Sequence, residues 1–124
     1  MSASSLPRGE SAVQSATKCT SGNNTCQVIK GRGLKIDSWT SHAYQFPQNG
    51  RTCDIVVTFK YNVTIAHPGV WQVATFRGCK VAPSRGYIRW DAHNVGPVTF
   101  SGRTFVNVSW TDGFGTTPKA EIKK

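Results

Sequence analysis

Acidic side chains are scarce in this chain. Six Asp and Glu stand against fifteen Lys and Arg in 124 residues. The six, Glu10, Asp37, Asp54, Asp91, Asp112 and Glu121, are scattered. No two share a spacing that argues for a glycosidase pair, although proximity in space stays open. Histidine is rarer still: His42, His67 and His93 are isolated, which excludes a histidine-rich copper–zinc dismutase site. The chain has no nucleophile elbow, phosphate-cradling glycine loop or zinc-protease helix motif. No apolar run approaches the ~18–20 residues that a membrane helix needs, and no window sustains helical periodicity. Hydrolase, metalloenzyme and helical membrane readings therefore have little to stand on, and an enzyme of any kind is disfavoured.

Positive charge is abundant. The formal net charge is +9, a balance that favours anionic partners such as phosphates, acidic glycans, nucleic acid or charged surfaces. A basic secreted protein with no specific anion is the plain alternative. The most distinctive stretch runs from Arg77 to Trp90. It carries Arg77, Lys80, Arg85 and Arg89 and no acid, together with Cys79, Tyr87 and Trp90. Its Pro and Gly predict a loop, and its four cations are the candidate anion-binding residues.

Four cysteines, Cys19, Cys26, Cys53 and Cys79, allow three pairings. The segment between Cys19 and Cys26, Thr-Ser-Gly-Asn-Asn-Thr, can turn back on itself, which favours Cys19–Cys26 and hence Cys53–Cys79. Zinc is the rival reading, but structural zinc sites bring cysteines in closer pairs than these. Disulfides point to an exported, extracellular protein. No signal peptide is visible. The opening Met1-Ser2-Ala3-Ser4-Ser5-Leu6-Pro7 reads as a start set before a mature domain.

Residues 1–10 are expected to be a disordered tail and 11–124 one domain. Residues 52–66 alternate with period two: Cys53, Ile55, Val57, Phe59, Tyr61, Val63 and Ile65 on a core face, Thr52, Asp54, Thr58, Lys60, Asn62 and Thr64 on the other. The length of this strand predicts a bend or bulge. Pro68-Gly69 predicts a turn, and Val70 to Phe76 a central strand, apolar on both faces. Gly102-Arg103 suits a two-residue hairpin between Val98–Ser101 and Thr104–Trp110. Cys26 to Asp37 reads as one strand bulged near Gly31 and Gly33, and 116–123 as a last edge strand. About seven short strands without helices predict an all-β, immunoglobulin-like antiparallel sandwich or barrel. Two connections, Ser38 to Arg51 and Arg77 to Gly86, read as long flexible loops.

Tyrosine is the remaining reactive side chain. A phenol can give a hydrogen atom to a radical and spread the unpaired spin over its ring, and a nearby Arg favours the phenolate. Tyr61 falls on the core face. Tyr44, beside His42, and Tyr87, in the basic stretch, are the candidates for radical quenching. If residues 87–91 are extended, Trp90 points to the core, while Tyr87 and Arg89 point outward. A single-strand nucleic-acid groove would also interleave cations and aromatics, but no recognition motif is present and disulfides argue against the cytoplasm.

The chain resembles the small secreted antioxidant proteins, or radical oxygenases, of skin-dwelling propionibacteria. The resemblance rests on Ser4-Ser5-Leu6-Pro7-Arg8-Gly9-Glu10, the Cys19…Cys26 loop, Ser41-His42-Ala43-Tyr44-Gln45-Phe46, Ser84-Arg85-Gly86-Tyr87-Ile88-Arg89-Trp90, the size and the charge. It implies a secreted protein that quenches free radicals, with a compact immunoglobulin-like domain and a positively charged groove beside a flexible loop; a monomer is expected. It brings no metal or redox cofactor, and an unidentified anionic ligand stays open. Quenching carries onto Tyr44 and Tyr87, and the groove onto Arg77, Lys80, Arg85 and Arg89. The other reading is a secreted binding module or adhesin for an anionic host or small-molecule ligand.

Overall fold

Alternation of buried and less buried side chains is realised most fully in two long strands, β3 (Lys35–Gln45) and β4 (Arg51–Asn62). Each anchors one sheet. The computed structural model describes residues 15–62, 68–111 and 113–124. The expected tail at 1–10 lies outside them, as do Val63, Ile65, His67 and Asp112. The remaining strands are β1 (Ala16–Cys19), β2 (Thr25–Arg32), β5 (Pro68–Val81), β6 (Ile88–Ala92), β7 (Val98–Thr99), β8 (Thr104–Trp110), β9 (Gly115–Thr116) and β10 (Ala120–Ile122). One sheet has the order β1-β2-β3-β6, with β7 also on β3. The other has the order β10-β8-β4-β5, with β9 also on β8. All pairings are antiparallel. The result is an all-β sandwich of two packed sheets, not a closed barrel.

The core lies between the inward faces. Ile29, Ile36, Trp39, Ala43 and Trp90 come from the first sheet, and Ile55, Val57, Phe59, Val106, Val108 and Trp110 from the second. Trp39 meets Phe59 edge to face at 5.1 Å, which joins the two layers. A buried indole N–H needs an acceptor, and each of the three buried tryptophans has one. Trp39 donates to Gln27 Oε1, Trp90 to Gln45 Oε1 and Trp110 to Ser41 Oγ, all within 3.0 Å. Both glutamines are fully buried. Their amides donate to backbone carbonyls elsewhere: Gln27 to Val106 and Pro118, Gln45 to Gly50 and Lys80. Polar clamps thus tie the layers together beside the apolar contacts.

Both disulfides form as expected, Cys19–Cys26 and Cys53–Cys79. Each links neighbouring antiparallel strands at paired positions; neither crosses between the sheets.

Several expectations are corrected. Cys26 to Asp37 is a hairpin, not one strand: Gly33, at φ 58°, lies between β2 and β3. The register does shift at Lys30/Gly31. There the backbones come so close that a Cβ on Gly31 would sit 2.2 Å from the Lys35 carbonyl oxygen. Most of the expected loop from Ser38 to Arg51 belongs to β3, leaving 46–50 as the connection. Arg77 to Val81 likewise belongs to β5, leaving 82–87.

The strand from Val70 is an edge, because among the described residues β5 pairs only with β4. Val70, Trp71 and Val73 are therefore exposed, not central. Pro68 and Gly69 are rungs opposite Asn62 and Tyr61, not a turn. The Gly102-Arg103 hairpin is absent: β7 pairs with β3 and β8 with β4, so the chain crosses between sheets there.

The bulge expected in the long strand occurs at Asp54, which has φ 47° and accepts the Gly78 N–H at 2.8 Å. This extra residue exchanges the faces N-terminal to it. Thr52 becomes buried, and Cys53, expected in the core, is only half-buried. Tyr61 is half-buried against the core and packs over Gly69, beside Trp71 and Phe100.

Candidate functional site

The outer face of β3 carries His42 and Tyr44 at alternate positions, because Ser41, Ala43 and Gln45 point inward. Phe46 follows directly. Strand β6 pairs His42 with Asp91 and Tyr44 with Arg89, and Tyr87 lies one residue before β6 begins. Register alone therefore gathers side chains more than forty residues apart. The Tyr44 and Tyr87 rings meet edge to face, centroids 5.3 Å apart at 86°. Phe46 lies 6.4 Å from Tyr44 and 6.0 Å from Tyr87, and His42 lies 5.4 Å from Tyr44.

Arg89 organises this cluster. Its Nε donates to Asp91 Oδ1 at 2.9 Å and its Nη1 to the Tyr44 hydroxyl at 3.2 Å. Its guanidinium carbon stands 5.7 Å from the Tyr44 ring centroid, within cation–π range. The hydrogen bond to Asp91 holds the Arg89 pKa above its ordinary value. Partial burial lowers the His42 pKa; the Arg89 charge lowers it further, and Asp91 opposes both. Tyr87 is 56% exposed, whereas Tyr44 is half-buried. A polar cleft of about 370 Å³ opens against Tyr44, floored by Asn24, Asn49 and Phe114. The backbone is fixed from both sides: the Tyr44 N–H donates to the Asn24 carbonyl at 2.8 Å, and next to it Gln45 reaches Gly50 and Lys80. The Cys19–Cys26 bridge lies in the row of His42, since Cys26 pairs with His42.

Of the four expected anion-binding cations, Arg89 alone bonds to this cluster among the described residues. Lys80, on β5, places its ammonium 4.7 Å from the Trp90 ring centroid. Arg77, also on β5, and Arg85, in the 82–87 connection, are exposed and make no ion pair among the described residues. Trp90 is in the core and Tyr87 outside, as the extended reading of 87–91 requires.

A second cleft, of about 430 Å³, lies on the outer face of the other sheet. Lys60 and Lys119 line it together with Asn62, Asn107 and Phe105. Neither lysine makes an ion pair among the described residues. The Asn62 Oδ1 is buried and accepts no hydrogen bond among them. Sequence reading missed this cleft. Lys60 and Asn62 were legible as one outward face, but their pairing with Asn107 and Phe105 was not.

Among the described residues no group of His, Cys, Asp or Glu is gathered to hold a metal ion, no cysteine is free, and no helix is long and apolar enough to cross a membrane. No family model, curated protein or solved structure matches the chain.

Proposed function

We propose that the protein is an extracellular antioxidant that quenches free radicals through Tyr44 and Tyr87. One observation carries this reading: two phenols distant in sequence stand ring against ring at the surface, with a guanidinium bonded to one of them. A phenol that gives its hydrogen atom to a radical leaves that radical closed-shell and keeps the spin on its own ring. Exposure of Tyr87 allows encounter, and the cleft beside Tyr44 admits small polar oxidants. The bond from Arg89 fixes the Tyr44 oxygen without consuming its proton, which remains available for transfer. The +9 charge draws anionic oxidants to the surface. Two disulfides suit an oxidising, extracellular setting. The resemblance to secreted antioxidant proteins of skin propionibacteria points the same way.

The test is Tyr44→Phe combined with Tyr87→Phe, assayed by decolourisation of a stable cation radical. Capacity should fall while circular dichroism matches the parent. Unchanged capacity with an intact fold would sink the reading.

The Lys60–Lys119 cleft favours a second reading, a binding module for a small anion. Two ammonium groups with no ion pair and an acceptor with no donor among the described residues, with an aromatic ring beside them, suit an organic anion that also carries a hydroxyl or amide N–H and an apolar face. Binding of such anions should weaken as salt rises and should be lost in Lys60→Gln/Lys119→Gln, while quenching of an uncharged radical is indifferent to both.

A further inference from the structure

We propose that one-electron oxidation closes an intramolecular dityrosine bond between Tyr44 and Tyr87, so that each chain terminates two radicals. This rests on the quenching reading above and names its end product.

The chemistry balances with radicals as the only oxidant. Each phenol gives one hydrogen atom to one radical, which becomes a closed-shell molecule. Two phenoxyl radicals remain, with spin shared between the oxygen and the ring carbons ortho and para to it. Coupling of one ortho carbon from each ring forms a single C–C bond. The two hydrogens on those carbons then move to the oxygens, which restores both phenols. The protein loses two hydrogen atoms in all and the two radicals gain them.

Placement favours this product over its competitors. The rings are already edge to face with centroids 5.3 Å apart, so the edge of one lies against the face of the other. Arg89 holds the Tyr44 hydroxyl. Tyr87 is exposed, at the end of the 82–87 connection, so it is the ring that turns to bring the two ortho carbons together. Tyr61 is the third tyrosine and has no phenol beside it: its ring neighbours are Trp71 and Phe100. Coupling between two chains requires two +9 surfaces to meet, which like-charge repulsion slows. Trp39, Trp90 and Trp110 are buried. Trp71 is 43% exposed and is the competing site of oxidation, so Trp71→Phe serves as the background in which to compare variants.

The experiment exposes the full chain to peroxyl radicals from a water-soluble azo initiator across a dilution series. Intact mass, dityrosine fluorescence and tryptic mapping are read together. Cleavage after Lys35 and Arg51, and after Arg85 and Arg89, leaves Tyr44 in peptide 36–51 and Tyr87 in peptide 86–89. The expected result is a monomer two hydrogens lighter, with those two peptides joined, in a yield independent of protein concentration. The product should vanish in Tyr44→Phe and in Tyr87→Phe singly. Dityrosine found only in covalent dimers, or persisting in the single variants, overturns the proposal. So does a quenching capacity that falls in the double variant while the oxidised parent monomer holds no cross-link; that outcome leaves the quenching reading standing. A cross-link in the parent with capacity unchanged in the double variant supports the bond and refutes quenching as the tyrosines' role.

Discussion

Gln45→Met should destabilise the protein far more than its conservative shape suggests. Gln45 lies between Tyr44 and Phe46 in sequence but points into the sandwich, where it is fully buried. Its amide donates to the carbonyls of Gly50 and Lys80 at 2.9 and 2.8 Å, and its oxygen accepts the Trp90 indole N–H at 3.0 Å. Methionine fills nearly the same volume, so little cavity forms. It satisfies none of the three partners. A buried polar group left without its partner costs about 1–3 kcal/mol. Gly50 and Lys80 lie near the surface, so their carbonyls recover part of the loss from water. The Trp90 N–H, under a ring only 4% exposed, does not. A total of about 3 kcal/mol follows, a large share of the ~5–15 kcal/mol by which domains are stable. The midpoint of thermal unfolding should fall by ~12 °C, at about 4 °C per kcal/mol for a domain of this size. Urea denaturation followed by far-ultraviolet circular dichroism measures it, with the slope unchanged. Gln48→Met, at an exposed position in the neighbouring connection, is the control and should stay within ~0.5 kcal/mol of the parent. A loss below about 1 kcal/mol in Gln45→Met would refute the clamp.

The two disulfides should differ in value. By loop entropy, the bridge with sequence separation 26 stabilises by about 3.5 kcal/mol and that with separation 7 by about 2.5 kcal/mol. Paired Cys→Ala variants in urea should therefore show Cys53–Cys79 as the costlier loss; the reverse order would contradict it. His42 gives a pH signature. Its pKa is lower in the folded chain than the ordinary 6.5, so below 6.5 the unfolded chain binds the proton first. Stability is then full above 6.5, falls as pH drops from there to the folded value, and levels off beneath it. His42→Gln should flatten that slope. Arg89→Gln should raise the His42 pKa by removing a like charge, and Asp91→Asn should lower it, both read by proton NMR titration. Opposite shifts would show that Arg89 and Asp91 do not set the field at His42.

Local pattern made the architecture legible. Alternation from Thr52 to Asn62 yields β4 almost residue for residue, because a half-buried strand must sort its side chains by face. The pairing of Cys19 with Cys26 follows from a short segment that turns, and the second bridge from what is left. The errors arise where chemistry at one position outweighs pattern. The left-handed Asp54, held by the Gly78 N–H, exchanges Thr52 and Cys53 between faces. Apolar residues on both faces of Val70 to Phe76 suggest a central strand, yet among the described residues β5 has no neighbour beyond β4.

The candidate site is legible only in halves. Tyr44 can be singled out as a loop phenol beside His42 and Tyr87 as one in a basic stretch, but nothing in either neighbourhood says that they touch. Strand β3 was hidden by its own composition: Ser38, Thr40, Ser41, His42 and Gln45 looked like loop because three of the inward positions, Ser41, Ala43 and Gln45, are polar or small. Those residues are inward for a reason that only the fold reveals, since Ser41 and Gln45 accept the indole N–H groups of Trp110 and Trp90. Once they are fixed inward, Tyr44 must face out. The β3–β6 register then sets Arg89 opposite it and brings Tyr87 alongside. The same buried polar groups that disguised the strand are what aim the phenols at each other. Chemistry at the surface therefore depends on hydrogen bonds in the core.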